Sequence, residues 1–88
     1  MVTTQEVNLP LDRLREAFVT ALGLPEGYDV TGLEYRSIVE WDSLAHLTLV
    51  TTIEMTFDVM FDTTDVLGLS SFSACVEILK RHGVTFDG

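Results

Sequence analysis

Residues 41–61 read WDSLAHLTLVTTIEMTFDVMF, and this stretch decides how the chain folds. Asp42 is a strong helix-capping residue, because its carboxylate can accept from the free N–H groups of a first turn. Beyond it Leu49, Val50, Ile53 and Phe57 recur at helical spacing and mark one buried side. Thr48, Thr51, Thr52 and Met55 fall elsewhere on the cylinder. The spacing predicts a helix from about Ser43 to Phe57. Its β-branched content is high, so packing rather than intrinsic propensity must hold it.

Upstream, Leu11, Leu14, Phe18 and Leu22 lie three and four residues apart and make one apolar stripe. Pro10 suits a first helical turn, and Gly23 followed by Pro25 gives a stop, so a helix over Pro10 to Leu22 is expected. Residues 23–42 then form a long connection broken by Gly23, Pro25, Gly27 and Gly32. A connection of that length must be tacked down by its own side chains, and Leu33, Tyr35 and Ile38 are the expected anchors. Downstream, a short helix is expected around Thr64 to Leu67. A last helix should start near Ser70 or Ser71 and end at His82, with Gly83 as its stop. Phe72, Cys75, Val76 and Leu79 form its inner stripe, while Lys80, Arg81 and His82 complement the negative end of its dipole. No segment sustains a strand alternation. The expectation is an all-α four-helix bundle with three main helices, one short helix and a long first loop.

With 88 residues the chain has room for one domain, 1–88, whose structured core is expected over about residues 8–83 with flexible ends. Fourteen acidic against five basic residues give a formal charge of −9. Such a surface repels phosphate backbones, and no basic stripe offsets it, so nucleic-acid binding is disfavoured. It favours encounter with partners that carry basic patches. The single cysteine, Cys75, excludes an internal disulfide and a multi-cysteine metal site, and it reads as core. The first ten residues lack the basic and apolar regions of a secretory signal, and no apolar run is long enough to span a bilayer. A cytoplasmic protein is expected.

The chemistry concentrates in Glu40-Trp41-Asp42-Ser43-Leu44, where the long loop meets the second helix. In isolation Asp42 and Ser43 read as an ordinary helix start. In context, a serine on a first turn exposes its hydroxyl beside unpaired backbone N–H groups, a place that stabilises an attached phosphate. Asp42, Ser43 and His46 do not read as a hydrolase triad. On one helix the serine and histidine are neighbours in consecutive turns, no oxyanion hole is evident, and a Gly-x-Ser-x-Gly elbow is absent. His46 is expected on the surface beside the serine, and two histidines among scattered carboxylates show no metal spacing.

On these residues the chain resembles the acyl carrier protein family. The resemblance is carried by the Asp42-Ser43-Leu44 triplet opening a second helix, by Leu47, Leu49, Val50 and Ile53, and by the helix ending Phe57-Asp58-Val59. It covers nearly the whole chain, from the first amphipathic helix to the last. It implies a four-helix carrier with no catalytic residues of its own. A 4′-phosphopantetheine arm, moved from coenzyme A onto Ser43 by a separate phosphopantetheinyl transferase, would carry acyl groups as thioesters. The arm would present them to acyl-loading, synthase or acyltransferase enzymes of fatty-acid, polyketide or related lipid biosynthesis. Asp42 would cap the helix and serve transferase recognition, and Leu44 would contact partners. The wider partner surface implied comprises Trp41, Leu47, Thr48, Thr51, Glu54 and Met55. Trp41 has a second reading, as a staple packed across the helix entrance, and packing is the preferred one. Family members generally act as monomers.

Two departures point to a specialised carrier rather than one of primary fatty-acid synthesis. Glu40-Trp41 precede the triplet where small residues are usual, and the second helix offers threonines and Met55 where acids are usual, with Glu54 its one clear acid. Lost charge there shifts docking toward apolar and hydroxyl contacts. The glycines and histidine that precede the serine of peptidyl carriers are missing, although some freestanding aminoacyl carriers also use Asp-Ser. The alternatives are such an aminoacyl carrier, or an unmodified helical module that acts by binding alone.

Overall fold

The computed structural model describes residues 9–86. The expected flexibility of the ends falls on residues 1–8 and 87–88, outside the described residues. Four helices follow in order: α1 (Pro10–Leu22), α2 (Ser43–Phe57), α3 (Thr63–Gly68) and α4 (Phe72–Arg81). Among the described residues there is no strand, only an isolated antiparallel bridge between Glu34 and Ser71. The fold is all-α, with a long connection between α1 and α2. No described helix is long and apolar enough to cross a membrane.

Each helix boundary has a local cause. Pro10 supplies the first turn of α1, where its missing N–H costs nothing. Gly23 adopts a left-handed φ of 67°, and the Leu24 N–H closes on the Val19 carbonyl at 2.9 Å, which ends the helix. The Asp42 carboxylate accepts from the Ala45 N–H at 2.8 Å to open α2. Asp62 and Asp65 form a reciprocal capping box on α3, and the Ser71 hydroxyl accepts from the Ala74 N–H at 3.0 Å on α4. α3 spans one residue more at each end than expected, and α4 runs Phe72–Arg81 with Ser71 and His82 as its flanking caps.

The core gathers Leu14, Phe18 and Leu22 of α1, Leu49, Val50 and Ile53 of α2, and Phe72, Cys75 and Leu79 of α4. Three expected core positions, Leu11, Phe57 and Val76, are only half-buried. Ala17 and Val19 of α1 are buried while Leu11 only packs against the core, and on α4 Ile78 is buried where Val76 is half-buried. Phe57 is half-buried, with the Arg13 guanidinium 5.2 Å from its ring centre. That guanidinium also donates to the Thr56 carbonyl, so α1 closes the C-terminal end of α2. Among the loop anchors only Leu33 is buried as expected; Leu24, Val30 and Trp41 do the rest, while Ile38 is half-buried and Tyr35 stays exposed. Chain packing continues to the end of the described residues, with Phe86 against Phe57 at 6.2 Å.

The long loop is fastened to the α3–α4 junction by backbone. Tyr35 N–H donates to the Ser70 carbonyl at 2.8 Å, and Phe72 N–H donates to the Leu33 carbonyl at 3.1 Å. A six-residue helix cannot hold itself, so α3 depends on such external ties. The strongest is Asp65, whose side chain is only 9% exposed and lies 2.7 Å from His82 Nε2 and 3.7 Å from the Arg81 guanidinium.

Asp58 caps α2 in the left-handed region at φ 55°, with a negative side chain at the negative end of a helix dipole. Asp58→Gly should raise stability by about 0.5–1 kcal/mol, read as a higher chemical-denaturation midpoint. The hydrogen bond from His82 holds the Asp65 carboxyl below its ordinary range, against the opposing effect of burial and with help from the Asp62 N–H. A carboxyl depressed on folding contributes stability that is complete above its unfolded value, about 3.9, and is lost as pH falls through the folded one. Asp65→Asn should therefore lower stability at neutral pH and flatten its decline below about pH 4, measured by denaturation at stepped pH.

Candidate functional site

Ser43 is the first residue of α2 and is exposed. The chain reaches it from a loop end pinned by Arg36 N–H to the Trp41 carbonyl and by Trp41 N–H to the Ile38 carbonyl, both at 3.1 Å. The first intrahelical bond, from His46 N–H to the Asp42 carbonyl, is 2.9 Å. The Asp42 carboxylate is spent on Ala45, which leaves the N–H groups of Ser43 and Leu44 at the helix mouth without intrahelical partners. A phosphate joined to the Ser43 oxygen would sit among these donors at the positive end of the dipole, and the residues present fit such a group.

The two polar neighbours of the serine are drawn into structural bonds. Asp42 turns one carboxylate oxygen, Oδ1, onto the helix backbone, and both ring nitrogens of His46 are engaged elsewhere. Trp41 Nε1–H donates to His46 Nδ1 at 3.0 Å, and His46 Nε2 meets the Val66 carbonyl at 3.0 Å. The two contacts together specify one tautomer, with the ring proton on Nε2. His46 is thus half-buried and structural rather than a free surface residue beside Ser43. Spacing along α2 correctly put it one turn from the serine, but no local pattern points to a carbonyl twenty residues downstream.

Trp41 is corrected from the expected partner surface, and its preferred reading, packing, is the one the structure shows. Its ring is fully buried, edge-on to Phe18 at 5.5 Å and stacked on His46 at 6.0 Å. The driving term is the apolar area of the indole, which outweighs exposure once its N–H has an acceptor. Glu54 is also committed, since its carboxylate accepts from the Phe61 N–H at 2.8 Å and so fastens the turn after α2. The remaining residues form one line. Leu44, Leu47, Thr48, Thr51 and Met55 are all exposed and share a face, with Leu44 at 74%, Leu47 at 59% and Met55 at 78%. α2 is therefore apolar on two opposite sides, one turned to the core and one to solvent. Leu67 of α3, 78% exposed, is a further large apolar side chain that sequence reasoning did not single out.

No protein-family model, curated protein or solved structure matches this chain. A depression between α1 and α2 is lined in part by Arg13, Thr52 and Thr56. Thr52 is nine residues beyond Ser43, about 13 Å along the helix, so that depression lies away from the serine, whereas a second one, lined by Arg36 to Val39, Trp41 and Asp42, ends beside it. The Thr52 and Thr56 hydroxyls are turned back onto the Thr48 and Thr52 carbonyls at 2.8 and 2.7 Å. Among the described residues no group of three or more His, Cys, Asp or Glu side chains is placed to hold a metal ion.

The one thiol is withdrawn from chemistry. Cys75 is fully buried on α4, and burial pushes its thiol up to about 12. A maleimide should leave the native protein unlabelled over minutes at pH 7 and label it fully in denaturant; rapid native labelling would contradict this burial.

Proposed function

We propose that the protein is an acyl carrier whose Ser43 receives a 4′-phosphopantetheine arm from coenzyme A. The observation that carries the reading is the exposed Ser43 hydroxyl on the first turn of α2, capped by Asp42 and flanked by Leu44, with both ring nitrogens of His46 engaged elsewhere. A serine so placed is an attachment point that an outside enzyme can reach. The family resemblance of the Asp42-Ser43-Leu44 triplet and of the helix behind it supports the same reading.

The chain's own residues would do three things. Ser43 Oγ would form the new ester bond to the phosphorus of coenzyme A in the active site of a phosphopantetheinyl transferase, losing its proton there while 3′,5′-adenosine bisphosphate leaves. The first-turn N–H groups would stabilise the resulting phosphodiester. The exposed line from Leu44 to Met55 would offer apolar and hydroxyl contacts to the transferase and to acyl-loading, synthase or acyltransferase partners. When bound, the arm supplies a thiol that holds acyl groups as thioesters at roughly millimolar effective concentration for a docked enzyme. Its scarcity of exposed acids on α2 favours a dedicated polyketide or lipid pathway over general fatty-acid synthesis, in which case docking depends less on salt.

An unmodified binding module is the second reading, and the exposed Leu44, Leu47 and Met55 favour it equally well. Mass separates the two. Incubation with coenzyme A, Mg²⁺ and a broad-specificity transferase should add one phosphopantetheine to the wild-type chain and none to Ser43→Ala. The gain should bring one maleimide-reactive thiol to the native protein. Absence of any gain with several transferases would overturn the carrier reading.

A further inference from the structure

The Val66 carbonyl belongs to the last turn of a six-residue helix, where acceptors lack intrahelical partners. Its one backbone contact, from the Leu69 N–H, is long at 3.4 Å. His46 Nε2–H supplies the stronger bond at 3.0 Å. The same ring accepts from Trp41, two residues before Ser43, and Tyr35 lies against it at 5.1 Å between ring centres. One side chain thus joins the loop end that delivers Ser43, the first turn of α2, and α3. The next residues on each side of the bond, Leu47 and Leu67, are both exposed.

We infer that His46 is a positioning residue: its bridge from Trp41 to the Val66 carbonyl holds α3 against the Ser43 turn, so that an enzyme loading Ser43 meets α2 and Leu67 of α3 as one preset surface. This rests on the carrier reading for its enzymatic consequence. The geometric part, the placement of α3 by His46, stands independently.

The two halves of the bridge can be cut separately. In His46→Asn the amide oxygen takes the place of Nδ1 and keeps the acceptor for Trp41, while the donor to Val66 is lost. In His46→Gln the amide nitrogen takes the place of Nε2 and keeps the donor to Val66, while the fully buried indole N–H loses its acceptor. Orphaning a buried donor costs more than returning a half-buried carbonyl to water. His46→Gln should therefore melt lower than His46→Asn. For a positioning role the kinetics must run the other way. With the transferase and coenzyme A, His46→Asn should raise KM for the carrier roughly five- to tenfold with kcat within about twofold, and His46→Gln should stay nearer wild type. If KM instead follows melting temperature, with His46→Gln the worse substrate, His46 is only a stabilising residue and the inference fails. Amide hydrogen exchange at Val66 and Leu69 gives the second reading on the same proteins. Faster exchange in His46→Asn than in His46→Gln supports the placement of α3 by this bond, and the reverse order or equal rates overturn it. Failure of the carrier reading is seen separately, as wild type that gains no mass, and exchange then decides the inference alone.

Discussion

A buried indole needs an acceptor for its N–H, and much of this fold is arranged around meeting that need for Trp41. The ring is fully enclosed, edge-on to Phe18 of α1, and Phe18 in turn lies 5.0 Å from Phe72 of α4. The apolar gain of enclosing so large a ring is available only if its donor is not orphaned. His46 resolves this one turn into α2 and, through its other nitrogen, draws in α3. Among the described residues no buried side-chain nitrogen or oxygen lacks a partner. The polar contacts at this centre are few, but each of the four helices touches the chain of rings and bonds that begins at Trp41.

The helices themselves were legible because their signals are local. Pro10 and Gly23 bracket α1, and Asp42 opens α2, so the expected limits of both coincide with those observed. What could not be read was which side of a stripe would face its neighbours. Val76 and Ile78 of α4 both lie near the apolar edge, and only the position of the packed helices decides that Ile78 is enclosed. Tyr35 and Trp41 show the same limit in the loop, where no periodicity operates. Both are large aromatics within one connection, and the indole goes in while the phenol stays half out, packed against it at 6.1 Å. At the site, the standing of Ser43 at the helix mouth and its cap on Asp42 were readable from residue type. The commitments of His46 to Val66 and of Glu54 to Phe61 were not, since they join residues twenty and seven apart across a turn that the sequence pattern does not describe.

α2 has an unusual division of labour for a helix in so small a domain. Its inner side contributes Leu49, Val50 and Ile53 to the core, while Leu44, Leu47 and Met55 stand in water. The exposed apolar side chains bring no folding gain, and on a protein of charge −9 they form a neutral strip within an acidic surface. Long-range attraction would guide a basic partner toward the molecule, and the strip would then reward close fit over charge. Specificity for such a partner would come from shape.

The closed ends of α2 give that strip a fixed scale. Asp42 shuts one end and the Arg13 guanidinium, reaching over from α1, shuts the other, so the helix is not free to fray or to gain a turn. Met55 lies twelve residues beyond Ser43, about 18 Å at the helical rise. On the carrier reading, the helix would work as a gauge. A protein that grips Met55 finds the serine hydroxyl at a set distance, and its own entrance must open at that distance or the two cannot be engaged together.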